Sequence, residues 1–592
     1  MIVMAQGDKA AALGWLIASL ETQPDNPEAL GWAATLSLNL KNPEKAETFA
    51  RRLTTVDTNN ARAHYLLACA LRDLDRIEEA ISAIDSSLAI EPDDPDRLVL
   101  KARLLSSWRL PALAVEFYKR AMEIRPTPAA AIDLAQILLR ESHPEEALEM
   151  LLKVSPLMQE RVRPFDLIAR AYTELQQFEA ADSHWSLAEQ FSPDRPAVLR
   201  SRAKAEIAAG RFEVAEALLT EGMEDDLEAP AGFLLLATVR KMKLDDLPLI
   251  ERMQSLLAKG GLSRKQAVDL NFGLGKSFDD LGEYETAIGF FDEANRVGYE
   301  LDPKLANFGR DDARAFTDFQ IAYFTRERIH ELERDGLSTD LPIFIVGMAR
   351  SGTTLTESIL SAHSRVQSRG EQSFWPERAI EFFRWSSGPV DLNHDLAIRF
   401  AHEYLEFLTP GHAYPGATEC RHVIDKNPNN FLYAALLHGL FPNAKIVHMQ
   451  RHAVANVLSI WMTPEVAKFL GTRENLVFAY REHLRLLNHL REVLPENRFA
   501  TFRYEDLTSE PKATISAMLD FVELEPEDAC FEPEKNSRAV LTPSAYQVRQ
   551  PIDRRSQEKW RHYERWLGPF TELLDAEGRT GDTQCGTRSL VP

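Results

Sequence analysis

Over residues 1–310 the apolar positions follow a helical period, and the helices themselves recur. A proline or its equivalent opens each unit at Pro27, Ala61, Pro95, Pro128, Pro164 and Pro196, at intervals of 34, 34, 33, 36 and 32 residues. A small residue keeps step in each second helix, at Ala46, Ala80, Ala114, Ala147, Ala181 and Ala215, 34, 34, 33, 34 and 34 residues apart. One degenerate unit, Leu235 to Leu257, intervenes before the run from Leu281 to Ala287 restores the pattern. Each pair of helices can bury its apolar face only against its neighbours, so an all-α solenoid with a concave face is predicted. After residue 310 the periodicity changes. One helix is expected from Phe316 to Arg334, closed by Asp335 and Gly336. Short β-branched runs then follow at Ile343–Val346, Ile446–Met449 and Arg498–Tyr504, separated by long helical patterns. That order predicts a parallel sheet covered by helices, with ligands at the carboxyl ends of its strands. The expected organisation is multidomain: a repeat solenoid over 1–310, a linker helix over 311–340, an α/β domain over 341–577, and a small, polar, disordered tail over 578–592.

Composition narrows the partners. The net charge of −22 argues against a general nucleic-acid binder, so an anionic ligand requires a local cluster of Arg and Lys. Cys69, Cys420, Cys530 and Cys585 lie far apart with no paired spacing, which points to neither a zinc site nor a disulfide framework. The implied setting is reducing, and a cytoplasmic location is expected. The apolar stretch in Met1 to Gln23 is interrupted at helical spacing by Asp8, Lys9 and Glu21, unlike a signal peptide. No membrane span is expected, because no run reaches 18 apolar residues.

The candidate chemistry starts at Ile343–Leu355, which reads as a buried strand, a glycine-bounded loop and the first turn of a helix. Backbone N–H groups and a helix N-terminus there converge on one point, a ready site for phosphate or sulfate. Gly347 and Gly352 match the outer frame of a nucleotide P-loop, but Thr353 stands where the lysine should be, and the positive charge comes from Arg350. An ordinary ATPase or GTPase is therefore disfavoured, and another phosphate-bearing donor favoured. A second element has the same character: the strand ending at Met449 is followed by Arg451 and a helix containing Ser459.

The 34-residue unit resembles the tetratricopeptide repeat, whose alanines sit where two helices approach closely. Its concave face implies docking of a peptide or protein; the alternatives are a scaffold or a dimerisation arm, which leaves a homodimer open. The second half, about residues 341 to 570, resembles sulfotransferases that use 3′-phosphoadenosine 5′-phosphosulfate, in particular the tyrosylprotein sulfotransferases and bacterial proteins that join tetratricopeptide repeats to such a domain. The resemblance is carried by Arg350–Thr354, Asp425–Pro428, Leu440–Lys445, Arg451 with Ser459, Arg503–Leu507, and the late block Ser544–Val548, Pro551 and Lys559-Trp560. It implies that Arg350, Ser351, Gly352, Thr353 and Thr354 hold the 5′-phosphosulfate. Arg451 and Ser459 would hold the 3′-phosphate, and Tyr504 and Lys559 would contact the nucleotide. Lys426 and Ser544 would face the bridging oxygen and the leaving phosphate. The donor carries its own activated bond, so no metal is expected.

A carboxylate must accept the acceptor's proton. Gly370-Glu371-Gln372 stands where the resembled family carries Gly-Glu-Glu. Glu371 is assigned the base, because Gln372 cannot accept a proton usefully. Thr463 stands where the resembled family has an arginine near the 3′-phosphate. His363 is expected to be a packed, hydrogen-bonded residue. Phe374, Trp375, Phe382, Phe383 and Trp385 are either an acceptor pocket or core, and Asp425 is expected to orient Lys426. The acceptor would be a hydroxyl: protein tyrosine, a saccharide or a small molecule. A nucleotide-binding repeat scaffold without activity is the competing reading.

Overall fold

The computed structural model describes residues 8–574 apart from 109, 160–163, 226–229, 302–308, 383–393, 409–419 and 465–470. The expected tail at 578–592 therefore lies outside the described residues. Two compact units divide at Ala171 and Tyr172, inside the helical array, and not at the change of periodicity near 310.

The first unit consists of helices in sequential pairs, such as Ala61–Asp73 with Ile77–Ile90 and Pro95–Ser107 with Pro111–Ile124. Local sequence sets their ends. Asn26, Asn42, Asn60, Asp94 and Thr127 each accept a backbone N–H of the first turn, and Pro27, Pro95 and Pro128 occupy the first helical position. The expected alanines Ala46, Ala80, Ala114 and Ala147 are fully buried, as are Ala34, Ala68, Ala102 and Ala135 in the first helices. These alanines are closed off from solvent. Ala80→Leu is expected to destabilise the protein by about 1–3 kcal/mol through overpacking, read by urea denaturation; an unchanged midpoint would show that the crossing can relax.

The second unit opens with further helices of the same kind, in which Ala181, Ala203, Ala215, Ala237 and Ala287 are again fully buried. The degenerate unit does form a pair, Pro230–Val239 and Leu247–Lys259, preceded in its second half by a 3-10 turn. The expected single helix Phe316–Arg334 is two, Arg310–Tyr323 and Arg326–Asp335. Thr325 breaks it, because its side chain accepts from Arg328 N and caps the second helix. Nor is this segment a bare linker: Phe324, Ile329 and Leu332 sit in the core that also holds Phe344 and Phe441.

The sheet has five parallel strands: β1 Pro342–Gly347, β2 Val366–Ser368, β3 His422–Asp425, β4 Lys445–Gln450 and β5 Phe499–Arg503, in the spatial order β2-β3-β1-β4-β5. β1 lies at the centre, and its alternation supplies both cores. Phe344 and Val346 join Trp375, Tyr404 and Leu437 on one face, whereas Ile343 and Ile345 join Ile359, Met449 and Met518 on the other. The carboxyl ends of β3, β1 and β4 are thus neighbours, which brings Lys426, the loop after Gly347 and Arg451 to one edge of the sheet.

Candidate functional site

The loop leaving β1 is shaped by its two glycines. Gly347 has φ 149° and Gly352 φ 107°. A Cβ at Gly347 would stand 2.5 Å from Met449 O, and one at Gly352 2.6 Å from Tyr504 Cδ2. Between them Arg350 takes a left-handed φ of 66°. The helix Thr353–Leu360 then starts at Gly352 with no side-chain cap, so its first N–H groups point outward uncapped. Arg451 Nη1 donates to Arg350 O at 3.1 Å and Asn456 Nδ2 to Ala349 O at 2.9 Å, which fixes the loop from the β4 side.

The side chains of this loop converge with residues distant in sequence. Arg350 Nε donates to Ser459 Oγ at 3.3 Å, Nη1 donates to Ser544 Oγ, and Nη2 donates to Gln547 Oε1 at 2.9 Å. Thr354 Oγ1 and Thr542 Oγ1 are 3.3 Å apart. The Arg451 guanidinium lies 4.8 Å from the ring centre of Tyr504, and its Nη2 donates to Ser556 O at 2.7 Å. Tyr504 Oη in turn shares a 2.6 Å hydrogen bond with Ser556 Oγ.

Charge is unbalanced here. Neither Arg350 nor Arg451 forms an ion pair among the described residues. Burial, with the neighbouring Arg451 charge, pushes Arg350 down to about 10, and burial also lowers Arg451. Two adjacent guanidiniums disfavour each other, and although the Glu505 charge partly offsets this at Arg451, they gain from an anion placed between or beside them. Four polar atoms nearby are buried without a hydrogen-bond partner: Ser351 Oγ, Arg451 Nε, Asn456 Oδ1 and Glu505 Oε2. Such atoms are costly unless a ligand or water satisfies them.

A second cluster forms at the end of β3. Lys426 is fully buried, and its Nζ donates to Glu371 Oε1 at 2.5 Å. It also stands 3.9 Å from Glu357, a buried carboxylate that accepts from Ser368 Oγ at 2.5 Å and pairs with Arg538 at 2.7 Å. Lys426 N donates to Gly370 O at 2.8 Å, which ties the Glu371 turn to the strand end. Half of the Glu371 side chain remains exposed (49%). Gln372 faces the opposite way: it is fully buried, its Nε2 donates to Arg369 O at 2.5 Å, and its own carbonyl accepts from Asn427 Nδ2 at 2.6 Å.

Ser544 touches Arg350 and Lys426 touches Glu371, with no bond between Ser544 and Lys426. Asp425 accepts from Tyr404 Oη at 2.9 Å and Asn430 Nδ2 at 3.0 Å, which anchors the strand end next to Lys426. Lys559 Nζ donates to Asp279 at 2.5 Å. Thr463 is buried, and its hydroxyl donates to Ser459 O at 2.6 Å. His363 is packed, with Nε2 on Glu525 O and Nδ1 accepting from Arg365 N, each at 3.0 Å. Phe374 and Trp375 are core residues against Tyr404 and Phe441, whereas the Phe382 side chain, Phe383 and Trp385 lie outside the described residues. Sequence reasoning missed Glu357, Arg538 and Gln547. Glu357 is four residues after Thr353 and shares a helix face with the loop, which was its only local signal.

The sulfotransferase family profile matches residues 342–528, and tetratricopeptide repeat profiles match 3–69 and 61–94. Residues 342–528 are thus similar to the sulfotransferase family, and residues 3–94 to tetratricopeptide repeats. An uncharacterized protein of Aquifex aeolicus (strain VF5) is 30% identical over 362 residues, covering 57% of this chain and 46% of that protein. A protein-tyrosine sulfotransferase of Drosophila melanogaster is 26% identical over 244 residues, covering 37% of this chain and 46% of that protein. The chain thus spans under half the length of either relative. Among solved structures, the sulfotransferase domain of the Synechococcus PCC 7002 olefin synthase is 23% identical, with a TM-score of 0.28, covering 41% of this chain and 96% of that domain. Ser544 and Lys559 lie beyond the part of the sulfotransferase domain that the profile matches. Among the described residues no helix is long and apolar enough to cross a membrane, and no cluster of acidic, His and Cys side chains could hold a metal ion.

Proposed function

We propose that this chain is a sulfotransferase that moves a sulfuryl group from 3′-phosphoadenosine 5′-phosphosulfate to an acceptor hydroxyl. The observation that carries the reading is the pair of unpaired guanidiniums, Arg350 and Arg451, beside the orphaned Ser351 Oγ at the loop after β1. A donor with two separate anionic ends matches two arginines better than one phosphate would. Gly352, Thr353 and Thr354 offer N–H groups and hydroxyls to the 5′ end, Arg451 and Ser459 the 3′ end, and Tyr504 the nucleoside.

In the reaction a bond forms between the acceptor oxygen and sulfur, and the bond from sulfur to the 5′-phosphate oxygen breaks. Glu371 takes the hydroxyl proton, and adenosine 3′,5′-bisphosphate leaves. Lys426 and Ser544 offset the charge growing on the leaving oxygen. Catalysis of this kind depends on positioning and fixed charge, by analogy with phosphoryl transfer. Protein tyrosine is the first acceptor to test, because the Drosophila relative carries that name. A peptide held on the repeats would deliver it. A saccharide or small-molecule acceptor is the alternative.

Calorimetry tests the donor. Adenosine 3′,5′-bisphosphate is expected to bind the wild-type protein, and Arg451→Ala to weaken that binding by about tenfold to a hundredfold, the range for a hydrogen bond to a charged group. No binding by wild type sinks the sulfotransferase reading. Binding without transfer of radiolabelled sulfate to any of a panel of peptides, glycans and phenols supports the inactive scaffold.

A further inference from the structure

We propose that Asp279, a residue of the repeat array, is a positioning residue of the donor site: its carboxylate aims the Lys559 ammonium at the nucleotide. The proposal rests on the sulfotransferase reading above.

Asp279 lies on the helix Arg264–Leu281, the first of the last repeat pair. It is nearly inaccessible, and both of its oxygens are used across the sequence: Oδ2 accepts from Lys559 Nζ at 2.5 Å and Oδ1 from Tyr563 Oη at 2.7 Å. Tyr563 is fully buried, and burial together with the Asp279 charge raises its phenol far above the ordinary range, so it stays a donor. A surface pair of Lys and Asp contributes little to stability, but this carboxylate is removed from water and held from two sides.

The segment that Asp279 grips lies against the nucleotide-holding residues. Ser556, three residues before Lys559, accepts from Arg451 at its carbonyl and bonds Tyr504 at its hydroxyl. Trp560, one residue after, stacks on His452 at 5.0 Å with an interplanar angle of 10°, and His452 directly follows Arg451. Lys559 is therefore flanked on both sides by contacts to the Arg451 corner. Its ammonium has three N–H groups; one goes to Asp279, and with 44% of the side chain exposed the others are open to a phosphate.

This contact is part of a continuous junction. Phe272, Ala287 and Phe291 of the last repeat pair share one buried cluster with Trp461, Tyr480, Trp560 and Tyr563. Asp292 accepts from Trp461 Nε1 at 2.7 Å, and Asn295 Nδ2 donates to Trp461 O at 2.8 Å, on the helix that carries Ser459. Val540 N donates to Ala208 O at 2.8 Å, and Tyr546 packs edge-on against Phe212 at 5.1 Å, on either side of Ser544. The repeats from Tyr172 onward thus touch the segments carrying Ser459, Ser544 and Lys559. They act as a wall of the donor site and not as a detachable arm.

The test measures adenosine 3′,5′-bisphosphate affinity by calorimetry, and donor KM and kcat by sulfate transfer, for wild type and for Asp279→Asn, Asp279→Glu, Lys559→Met and the Asp279→Asn/Lys559→Met pair. Asp279→Asn and Lys559→Met are each expected to weaken nucleotide binding about tenfold. Donor KM should rise with kcat unchanged, the double variant should bind no more weakly than Lys559→Met alone, and Asp279→Glu should recover most of the affinity. Additive losses in the double variant would overturn the proposal, because Asp279 would then act by another route. Should Asp279→Asn fail to fold, Lys559→Met decides alone: it leaves Asp279 its Tyr563 partner, and wild-type affinity in that variant overturns the assignment. A wild-type protein that binds no nucleotide fails at the first measurement and removes both this proposal and the functional reading; a loss confined to the variants concerns only Asp279.

Discussion

Replacing Lys426 by alanine is expected to lower sulfuryl transfer by about a hundredfold to a thousandfold while leaving adenosine 3′,5′-bisphosphate affinity nearly unchanged. The asymmetry follows from where the ammonium sits. Lys426 is fully buried between two carboxylates, Glu371 at 2.5 Å and Glu357 at 3.9 Å, and it makes no contact with Arg350 or Arg451, the residues proposed to hold the ground-state anion. A charge held there in advance costs no reorganisation when the leaving oxygen becomes negative, so its value appears in the transition state. When Lys426 is lost, Glu357 keeps Arg538 and Ser368 as partners, and Glu371 is half exposed to water. Initial rates at saturating donor, set against calorimetric affinity, read the difference. Equal losses in rate and affinity would instead make Lys426 a residue of ground-state binding.

Legibility of the chain tracked how local each signal is. The repeats were readable because one unit recurs: the same small residue returns at each helix crossing, and every alanine so identified is fully buried. Strands β1, β4 and β5, of six, six and five residues, were readable from the runs Ile343–Val346, Ile446–Met449 and Arg498–Tyr504. β2 and β3 were not, since they have three and four residues and contain Gln367, Ser368, His422 and Asp425, of which Ser368, His422 and Asp425 make hydrogen bonds to residues distant in sequence. The break at Phe324 and Thr325 escaped for a related reason: a buried aromatic and a capping threonine read as helix interior until the chain turns into the sheet's core. At the site, motif order pointed to Arg350, Lys426, Arg451, Ser459 and Ser544. It could not show that Arg350 binds both serines, that Lys426 pairs with Glu371, or that Lys559 reaches back 280 positions to Asp279. Those pairings belong to the packed chain alone.

The base is where the two levels of description meet most sharply. Glu371→Gln is expected to lower transfer to a phenolic acceptor by about a hundredfold to ten-thousandfold, with nucleotide affinity retained. Position 371 presents a half-exposed carboxylate beside Lys426, open to an incoming hydroxyl, whereas position 372 is sealed against Arg369 and Asn427. Gln372→Glu therefore should not rescue Glu371→Gln. It would force a carboxylate against the Arg369 carbonyl in a buried place, a destabilisation of about 1–3 kcal/mol. The choice of acceptor separates a base from a merely structural partner of Lys426. Where the acceptor hydroxyl is already ionised, no proton remains to be taken, so the Glu371→Gln loss should shrink toward nothing along a series of phenols of increasing acidity. A structural role would give the same loss for every phenol. Recovery of transfer in the Glu371→Gln/Gln372→Glu pair would move the base to position 372, and full activity in Glu371→Gln alone would remove the role from this turn.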